Sequence, residues 1–237
     1  MRLAKFLALS GAASRRRAEV LISQGKVTVN GQVVIKPQQR VSSDDLVALE
    51  GNLIEGPEEK KYILLNKPDG YISTVTDTHQ RPTVINLIRN ENARLYPVGR
   101  LDYDTTGVLL LTNDGELAYR LTHPRYKVDK EYQALVKGKP GRQAIEAMQK
   151  GLIIDDVKTA PAKVKILNSG DVKSLLLITL REGKKRQVKK MCAAIGHTVI
   201  NLDRVSFAGL NYDKVERGSY RYLTSSEISR LYRMVGL

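Results

Sequence analysis

The sequence predicts an α+β protein with a small front domain and a larger domain built on a mixed, largely antiparallel sheet. Three observations predict this class. The first fifty residues hold two amphipathic helical segments and a short hairpin pattern. Glu55–Lys60, a polar segment with both Gly and Pro, follows as a linker. Beyond it, strands do not alternate strictly with helices, which disfavours a doubly wound parallel sheet. We therefore predict domains at 1–53 and 61–237, joined by a linker at 54–60.

In the front domain, a short amphipathic helix is expected around Leu3, Phe6 and Leu7, before Gly11. A second helix begins after Ser14, a favoured N-cap residue, and ends near Gly25. Strand segments then flank Asn30-Gly31, the two-residue turn that suits the twist of paired strands. This order of helix, helix and hairpin is the most specific local pattern in the chain.

The larger domain is predicted to be rich in strands, with helices between them. Strands are expected at Tyr62–Leu65, Val108–Leu111, Tyr132–Val136, Val164–Leu167, Leu175–Leu180 and Val199–Leu202. Helices are expected at Glu116–Leu121, Gln143–Lys150 and Gln187–Ile195. No internal repeat or low-complexity segment interrupts this pattern.

Composition narrows the function classes. The chain of 237 residues has 39 Lys and Arg against 25 Asp and Glu, a formal charge of +14, which favours a polyanion such as nucleic acid as partner. No apolar run approaches the ~20 residues that cross a bilayer, and the polar start does not suit a signal peptide. The single cysteine, Cys192, and three scattered histidines give no zinc spacing. We expect a cytoplasmic protein without a metal and without membrane attachment.

Two arginine-containing segments have a structural and a functional interpretation. Arg15, Arg16 and Arg17 open the second helix, where free backbone N–H groups favour phosphate, but three arginines can also form a solvated face. Asp102 follows Arg100 just before a predicted apolar strand. Such a pair is often a surface ion pair, yet an acid displayed at a turn can also perform chemistry.

Two further segments hold candidate site residues. Lys130-Glu131-Tyr132 enters a predicted strand, where Tyr132 could also simply fill a strand face. The segment from Arg181 to Lys190 has six basic residues in ten positions as the chain enters a helix. The apolar stripe of that helix, which includes Cys192, is expected to lie in the core. Lys189 and Arg186 are expected to project elsewhere.

Taken in order, these segments resemble a known family. The front segment resembles the alpha-L RNA-binding domain, which is shared by a small-subunit ribosomal protein and several RNA-modifying enzymes. The rest resembles the RsuA/RluB-type family of ribosomal RNA pseudouridine synthases, and together the resemblance covers essentially the whole chain. The motifs that carry the second resemblance are Asn66-Lys67-Pro68, Gly99-Arg100-Leu101-Asp102, Thr105–Gly115, Lys130-Glu131-Tyr132, Glu182-Gly183 and Arg186–Met191.

The resemblance implies a reaction and residue roles. A uridine is detached at its glycosidic bond, turned and rejoined through carbon five. Asp102 corresponds to the essential acid, which attacks either the uracil ring or the sugar. Tyr132 corresponds to an active-site tyrosine that stacks on the base. Lys189 falls where many relatives have an arginine that pairs with the acid, and it departs from that pattern because a lysine gives a point charge rather than a planar fork.

The residue types suit this chemistry. A carboxylate is a useful nucleophile only while ionised, and Lys189 or Arg100 could supply the cation that favours ionisation. An aromatic ring gives an extruded base a stacking surface worth roughly 1–3 kcal/mol. Since the reaction only rearranges bonds, we expect no cofactor. Asp104 and Asp114 compete with Asp102 for the catalytic role, but Asp114 lies in a turn sequence that explains it.

We therefore expect a pseudouridine synthase whose partner is ribosomal RNA or a pre-ribosomal particle. Arg15–Arg17, Arg100, Lys185 and Arg186 are the candidate RNA-binding residues. The Ser14–Arg17 and Gly115–Ala118 segments resemble the large-subunit branch of the family more than the small-subunit branch. The alternatives are the same reaction on small-subunit RNA and an RNA-binding assembly factor without activity. A methyltransferase or a tRNA synthetase would need nucleotide-binding signatures that are not found here. Oligomeric state is open, with a monomer as the working expectation.

Overall fold

The computed structural model describes residues 1–89 and 91–237. These residues form two compact units. The small unit contains Met1–Lys61 with Asn92–Arg94, and the large unit contains Tyr62–Glu91 and Leu95–Leu237. The predicted boundaries at 53 and 61 stay predictions, and the contribution of residues 92–94 to the small unit had no signal in the sequence.

The small unit begins with two helices, as predicted. Its elements are α1 Leu3–Leu9, α2 Arg15–Ser23, β1 Val27–Val29, β2 Gln32–Val34, β3 Val47–Leu49 and β4 Asn52–Leu53. The Ser14 hydroxyl caps α2 by accepting a hydrogen bond from the Arg17 backbone N–H at 3.2 Å. Asn30 and Gly31 both have positive φ, 51° and 78°, which the tight turn between β1 and β2 requires.

The sheet of the small unit has the order β2-β1-β3-β4. Strands β3 and β4 were not predicted, because two or three residues are too few to show a period of two. A core of buried aliphatic residues and Phe6 lies between this sheet and the helices. Glu55–Lys60, the predicted linker, forms no helix or strand, and the Glu58 N–H donates to the Leu9 carbonyl at 2.9 Å. This segment therefore belongs to the small unit.

The large unit contains every strand and helix that was predicted for it. Its strands are β5 Tyr62–Lys67, β6 Tyr96–Pro97, β7 Thr106–Thr112, β8 Lys130–Lys137, β9 Ile153–Ile154, β10 Val157–Lys158, β11 Lys163–Ser169, β12 Lys173–Leu180, β13 Val199–Phe207, β14 Leu210–Asn211 and β15 Tyr220–Tyr222. Its helices are α3 Gly115–Thr122, α4 Arg142–Lys150, α5 Gln187–Ala194 and α6 Ser225–Val235, with 3-10 turns at Val84–Leu87 and Pro124–Tyr126.

The main sheet has the order β11-β12-β8-β13-β7-β5-β15, with β14 beside β13 and β6 beside β7. Within the described chain, β13 and β7 run parallel and the other neighbours are antiparallel. The mixed, largely antiparallel sheet confirms the predicted fold class. Gly107 of β7 lies opposite Arg204 of β13, and a Cβ at Gly107 would overlap the Arg204 backbone. Glycine is required there.

Two buried apolar clusters hold the large unit together. Side chains of β5, β7, α3 and α6 contribute to one cluster, and side chains of β8, β12, α4 and α5 contribute to the other. Helix α6 was not predicted, although its capping box is legible in the sequence: Thr224 and Glu227 each satisfy the other's backbone N–H. Of the helices formed by the described residues, none has the length and hydropathy needed to cross a membrane.

Candidate active site

The large unit contains a cleft of about 500 Å³ where the predicted catalytic segments meet. Most of its lining comes from the segment before β7, from the neighbouring strands β8 and β13, and from the segment that enters α5 together with the start of that helix. The lining residues are Val98, Gly99, Arg100, Leu101, Asp102, Thr105, Thr122, Lys130, Tyr132, Leu180, Glu182, Gly183, Lys184, Lys185, Arg186, Gln187, Val188, Leu202, Arg204 and Phe207. The fold therefore brings Asp102, Tyr132, Arg100, Lys185 and Arg186 together.

Asp102 lies on a turn that is fixed through its backbone. The Ser73 hydroxyl accepts from the Leu101 N–H at 3.0 Å and donates to the Leu101 carbonyl at 2.9 Å. The Gly70 N–H donates to the Tyr103 carbonyl, and the Thr105 N–H donates to the Asp102 carbonyl. The half-buried Asp102 carboxylate itself has no hydrogen-bond or ion-pair partner among residues 1–89 and 91–237. It is thus positioned by its main chain and left open at the cleft.

The Lys67 side chain supports this turn from beneath. It is fully buried, and its Nζ donates to the carbonyl oxygens of Pro68 at 2.9 Å, Asp102 at 3.2 Å, Tyr103 at 3.4 Å and Thr105 at 2.9 Å. Burial lowers the pKa of Lys67 to about 8, although nearby carboxylates oppose this shift. Lys67 belongs to a motif that the sequence analysis noted without a role. Its role depends on burial, which the motif does not show.

The floor of the cleft is one face of the sheet. Lys130 and Tyr132 are two residues apart on β8, so their side chains project to the same face. Tyr132 lies opposite Arg204 of β13, and Lys130 lies opposite Phe207 across a bulge in β13. Tyr132 is half-buried and contacts the apolar cluster beneath it. Part of its ring is thus available to the cleft.

Two buried cations lie on this floor. Lys130 belongs to the Lys130-Glu131-Tyr132 motif but had no predicted role, and Arg204 belongs to none of the motifs. Arg204 is 2% exposed, and its Nε donates to the Val108 carbonyl at 2.8 Å. Lys130 is 9% exposed, and its Nζ donates to the Val128 carbonyl at 3.0 Å. Burial, followed by the nearby Arg204 charge, lowers the pKa of Lys130 to about 8.

The segment from 181 to 186 forms a basic rim. Lys184, Lys185 and Arg186 line the cleft with exposed side chains. Beneath them Gln187 is buried and ties the rim together: its amide donates to Glu182, and its carbonyl oxygen accepts from the Lys184 N–H at 2.9 Å. The rim is thus a folded loop whose cationic ends are solvated.

Helix α5 confirms the predicted apolar stripe. Val188, Met191 and Cys192 are buried in one of the core clusters. Burial raises the pKa of the Cys192 thiol to about 12. The thiol is therefore a core group, in agreement with the sequence analysis.

The structure corrects the expected partner of Lys189. Lys189 does not line the cleft, and its Nζ lies 2.5 Å from an Asp104 carboxylate oxygen rather than beside Asp102. The Lys189 ammonium lowers the pKa of Asp104. The α5 cation thus pairs with the acid two residues after Asp102, and Asp102 lines the cleft.

The competing acids have structural partners. Asp104 is paired with Lys189. Asp114 caps α3 by accepting from the Leu117 N–H at 3.2 Å, and it also accepts from the hydroxyl groups of Tyr62 and Tyr232. The turn sequence thus explains Asp114, as predicted.

In the small unit, Arg15, Arg16 and Arg17 are exposed on the first turn of α2. They lie where the prediction put them, at the N-terminus of α2, where the Arg17 N–H is capped by the Ser14 hydroxyl and the N–H groups of a first helical turn favour an anion. The arrangement suits phosphate contact, and that role stays a prediction. Among the described residues, no cluster of three or more His, Cys, Asp and Glu could hold a metal ion.

The chain is similar to known RNA pseudouridine synthases over nearly its whole length. The family model described as RNA pseudouridylate synthase matches residues 61–194, and the S4 domain model matches residues 1–47. The Bacillus subtilis ribosomal large subunit pseudouridine synthase B is 46% identical over 97% of this chain and 95% of that protein. An uncharacterized RNA pseudouridine synthase from Aquifex aeolicus is 41% identical over 100% and 96% of the two chains.

A solved structure supports the same grouping. The crystal structure of a pseudouridylate synthase covers 98% of this chain, with 34% identity and a TM-score of 0.70. The fold and the cleft thus define an RNA-modifying isomerase with a separate RNA-binding domain. The chain belongs to the RNA pseudouridylate synthase family, which confirms the resemblance seen in the sequence.

Proposed function

We propose that the protein isomerises specific uridines of ribosomal RNA to pseudouridine with Asp102 as nucleophile. The observation that carries this proposal is the Asp102 carboxylate, which lines the cleft and has no partner among the described residues. Lys67 clamps the same turn through three of its backbone carbonyls, those of Asp102, Tyr103 and Thr105. A fixed backbone with an open carboxylate is the arrangement that nucleophilic catalysis needs.

Each of the three catalytic candidates has a distinct task. Asp102 forms the transient bond, either to C6 of the uracil ring or to C1′ of the ribose. Tyr132 offers its ring to the extruded base as a stacking surface. Lys189 acts through Asp104, since their ion pair joins α5 to the turn that carries Asp102. The reaction neither oxidises its substrate nor transfers a group from a donor, so it requires no nucleotide cofactor.

The proposed RNA grip uses exposed cations of both units. Arg15, Arg16 and Arg17 would contact phosphates at the α2 N-terminus, and Arg100, Lys185 and Arg186 would contact phosphates beside the target nucleotide. Extruding a base costs a few kcal/mol, which these contacts must offset. We place the RNA-binding domain at 1–53 and the catalytic domain at 61–237.

The proposed substrate is large-subunit ribosomal RNA in the cytoplasm, free or in a pre-ribosomal particle, and the working unit is a monomer. The Bacillus subtilis relative, whose name states that substrate class, supports this choice. Small-subunit RNA and an RNA-binding factor without activity are the alternatives.

The test incubates purified protein with unmodified large- and small-subunit transcripts and maps pseudouridine by carbodiimide labelling and reverse transcription. We expect a stop on the large-subunit transcript with the wild type and none with Asp102→Asn. A stop only on the small-subunit transcript would move the reaction to that RNA. No stop on either transcript or on a pre-ribosomal particle would favour the binding factor.

A further inference from the structure

Arg204 is buried and has no carboxylate partner among residues 1–89 and 91–237. Its side chain makes one hydrogen bond, from Nε to the Val108 carbonyl, and its Nη2 is buried with no partner among the described residues. No carboxylate of the described chain forms an ion pair with it. The guanidinium lies 4.9 Å from the centroid of the Phe207 ring, which cannot accept its remaining N–H groups as an oxygen would.

This arrangement is unfavourable for the free protein. A buried charged donor left unpaired costs free energy, and buried charges are normally paired. Lys130 lies on the same floor with one carbonyl partner, and the two positive charges repel each other. Asp129 partly offsets the charge of Lys130, but Arg204 has no ion-paired carboxylate among the described residues, which indicates that an anionic or electron-rich group binds beside it on the floor of the cleft.

The register of the sheet shows which part of a nucleotide would reach Arg204. Arg204 is paired across the sheet with Tyr132, the proposed stacking surface for the base. The rim cations Lys185 and Arg186 are exposed, whereas Arg204 is 2% exposed. Phosphates are strongly hydrated and stay at the mouth, so the group next to Tyr132 on the floor is the uracil ring.

We infer that Arg204 donates to a carbonyl oxygen of the target uracil and stabilises the negative charge that the ring acquires during the reaction. This inference rests on the proposed function and adds a catalytic residue to it. Lys130 contributes a second positive charge to the same region of the cleft.

The charge arises whichever atom Asp102 attacks. If the C1′–N1 bond breaks first, its electron pair stays on the ring and is shared by N1, O2 and O4, while the Asp102 carboxylate supplies the pair that bonds C1′. If Asp102 adds to C6, the electron pair of the C5–C6 double bond moves towards O4. C5 then bonds to C1′, and the bond from Asp102 to C1′ or C6 breaks with its electron pair returning to the carboxylate, which leaves the ring neutral. C5 finally loses its proton and N1 gains one, and the product is pseudouridine. A fixed cation beside a ring oxygen lowers the barrier of the charged step.

The experiment measures single-turnover conversion and RNA affinity for the wild type, Arg204→Gln and Arg204→Lys. At saturating enzyme, Arg204→Gln is expected to convert RNA about 100-fold more slowly with little change in Kd, as for the loss of one charge-stabilising donor. Arg204→Lys keeps the charge and should lose less. Arg142→Gln removes an arginine that is 92% exposed on α4, and it serves as the unaffected control.

A second substrate separates catalysis from structural damage. RNA with 5-fluorouridine at the target has a ring that holds negative charge better, so the rate lost by either Arg204 variant should be smaller for the first bond rearrangement on this RNA. An equal loss on both RNAs would show a structural role. A rise in Kd with an unchanged rate at saturation would make Arg204 a phosphate contact. Either result overturns the inference, whereas a wild type without conversion overturns the proposed function itself.

Discussion

The wall of the cleft that carries Asp102 and the rim at residues 181–186 are built in opposite ways. In the wall, which is the turn around Asp102, the charged group beneath the backbone is the Lys67 ammonium. It is fully buried and donates its hydrogen bonds to backbone carbonyls. In the rim, the backbone is tied by the neutral Gln187, and the charges of Lys185 and Arg186 are exposed. Both regions are basic. The Lys67 charge holds the protein backbone, whereas the exposed Lys185 and Arg186 charges can contact a ligand.

This difference predicts which residues affect the rate of uridine conversion and which affect the affinity for RNA. A nucleophile must be held within a fraction of an ångström, which a buried clamp provides. Phosphate contacts gain most from flexible cations that release counterions. Changes in the wall should therefore alter the rate of conversion, and changes in the rim should alter binding and its salt dependence.

The largest expected effect tests the wall. Asp102→Asn should reduce conversion by more than about 10³-fold while leaving RNA affinity nearly unchanged, because it removes the bond-forming oxygen. Rates from single-turnover assays and Kd from filter binding measure the two effects. Asp104→Asn, in the same turn, is the matched variant and should cost far less. Comparable losses for both would show that the turn needs acids for its structure.

The next effect concerns the buried cation Lys130. Its pKa is about 8 in the fold against 10.5 ordinarily, so between pH 8 and 10 the unfolded chain binds more protons and stability rises with pH. The unfolding free energy of the wild type minus that of Lys130→Met should rise by roughly 2 to 3 kcal/mol between pH 7 and 10. Urea denaturation across this range measures it. A difference independent of pH would mean that Lys130 is solvated and charged like an ordinary lysine.

A smaller effect tests the exposed cations. Replacing Arg15, Arg16 and Arg17 together by glutamine should weaken RNA binding and reduce the slope of log affinity against log salt by about 2, because three phosphate contacts are lost. Lys163, Lys165 and Lys173, exposed on β11 and β12, give a triple variant of equal charge change as control. An unchanged slope for the arginine variant, or an equal fall of the slope for both triple variants, would show that the α2 N-terminus makes no specific contact with RNA phosphates.

The smallest expected effect tests the ion pair between Lys189 of α5 and Asp104 of the turn. If Lys189 acts only through Asp104, then Lys189→Met and Asp104→Asn should each slow conversion by no more than about 10-fold, and the double variant should match either single one. Such a cycle of single-turnover rates measures the coupling directly. Additive losses would show that Lys189 also contacts the substrate or Asp102.

Much of the site could be predicted from the sequence, because its motifs lie at the ends of strands that have clear apolar runs. The apolar runs of β5, β7, β8 and β12 gave the sheet, and the motif order placed Asp102 and Tyr132 beside it. The partner of Lys189 was wrong, because an ion pair between α5 and a turn 85 residues away depends on side-chain direction that sequence spacing does not give. The family pattern requires an acid at Asp102 and not at Asp104, but it does not show which of the two carboxylates the Lys189 ammonium contacts.

The sequence by itself determined the α+β class, the helix-helix-hairpin order at the front, the basic charge and the family. These depend on local periodicity, turn chemistry and composition, which each segment carries on its own. Only the tertiary structure decided that Lys67 clamps the turn and that Arg204 lies unpaired beside Tyr132. Burial turns an ordinary lysine or arginine into a structural clamp or an unsatisfied cation, and burial arises only when distant strands pair.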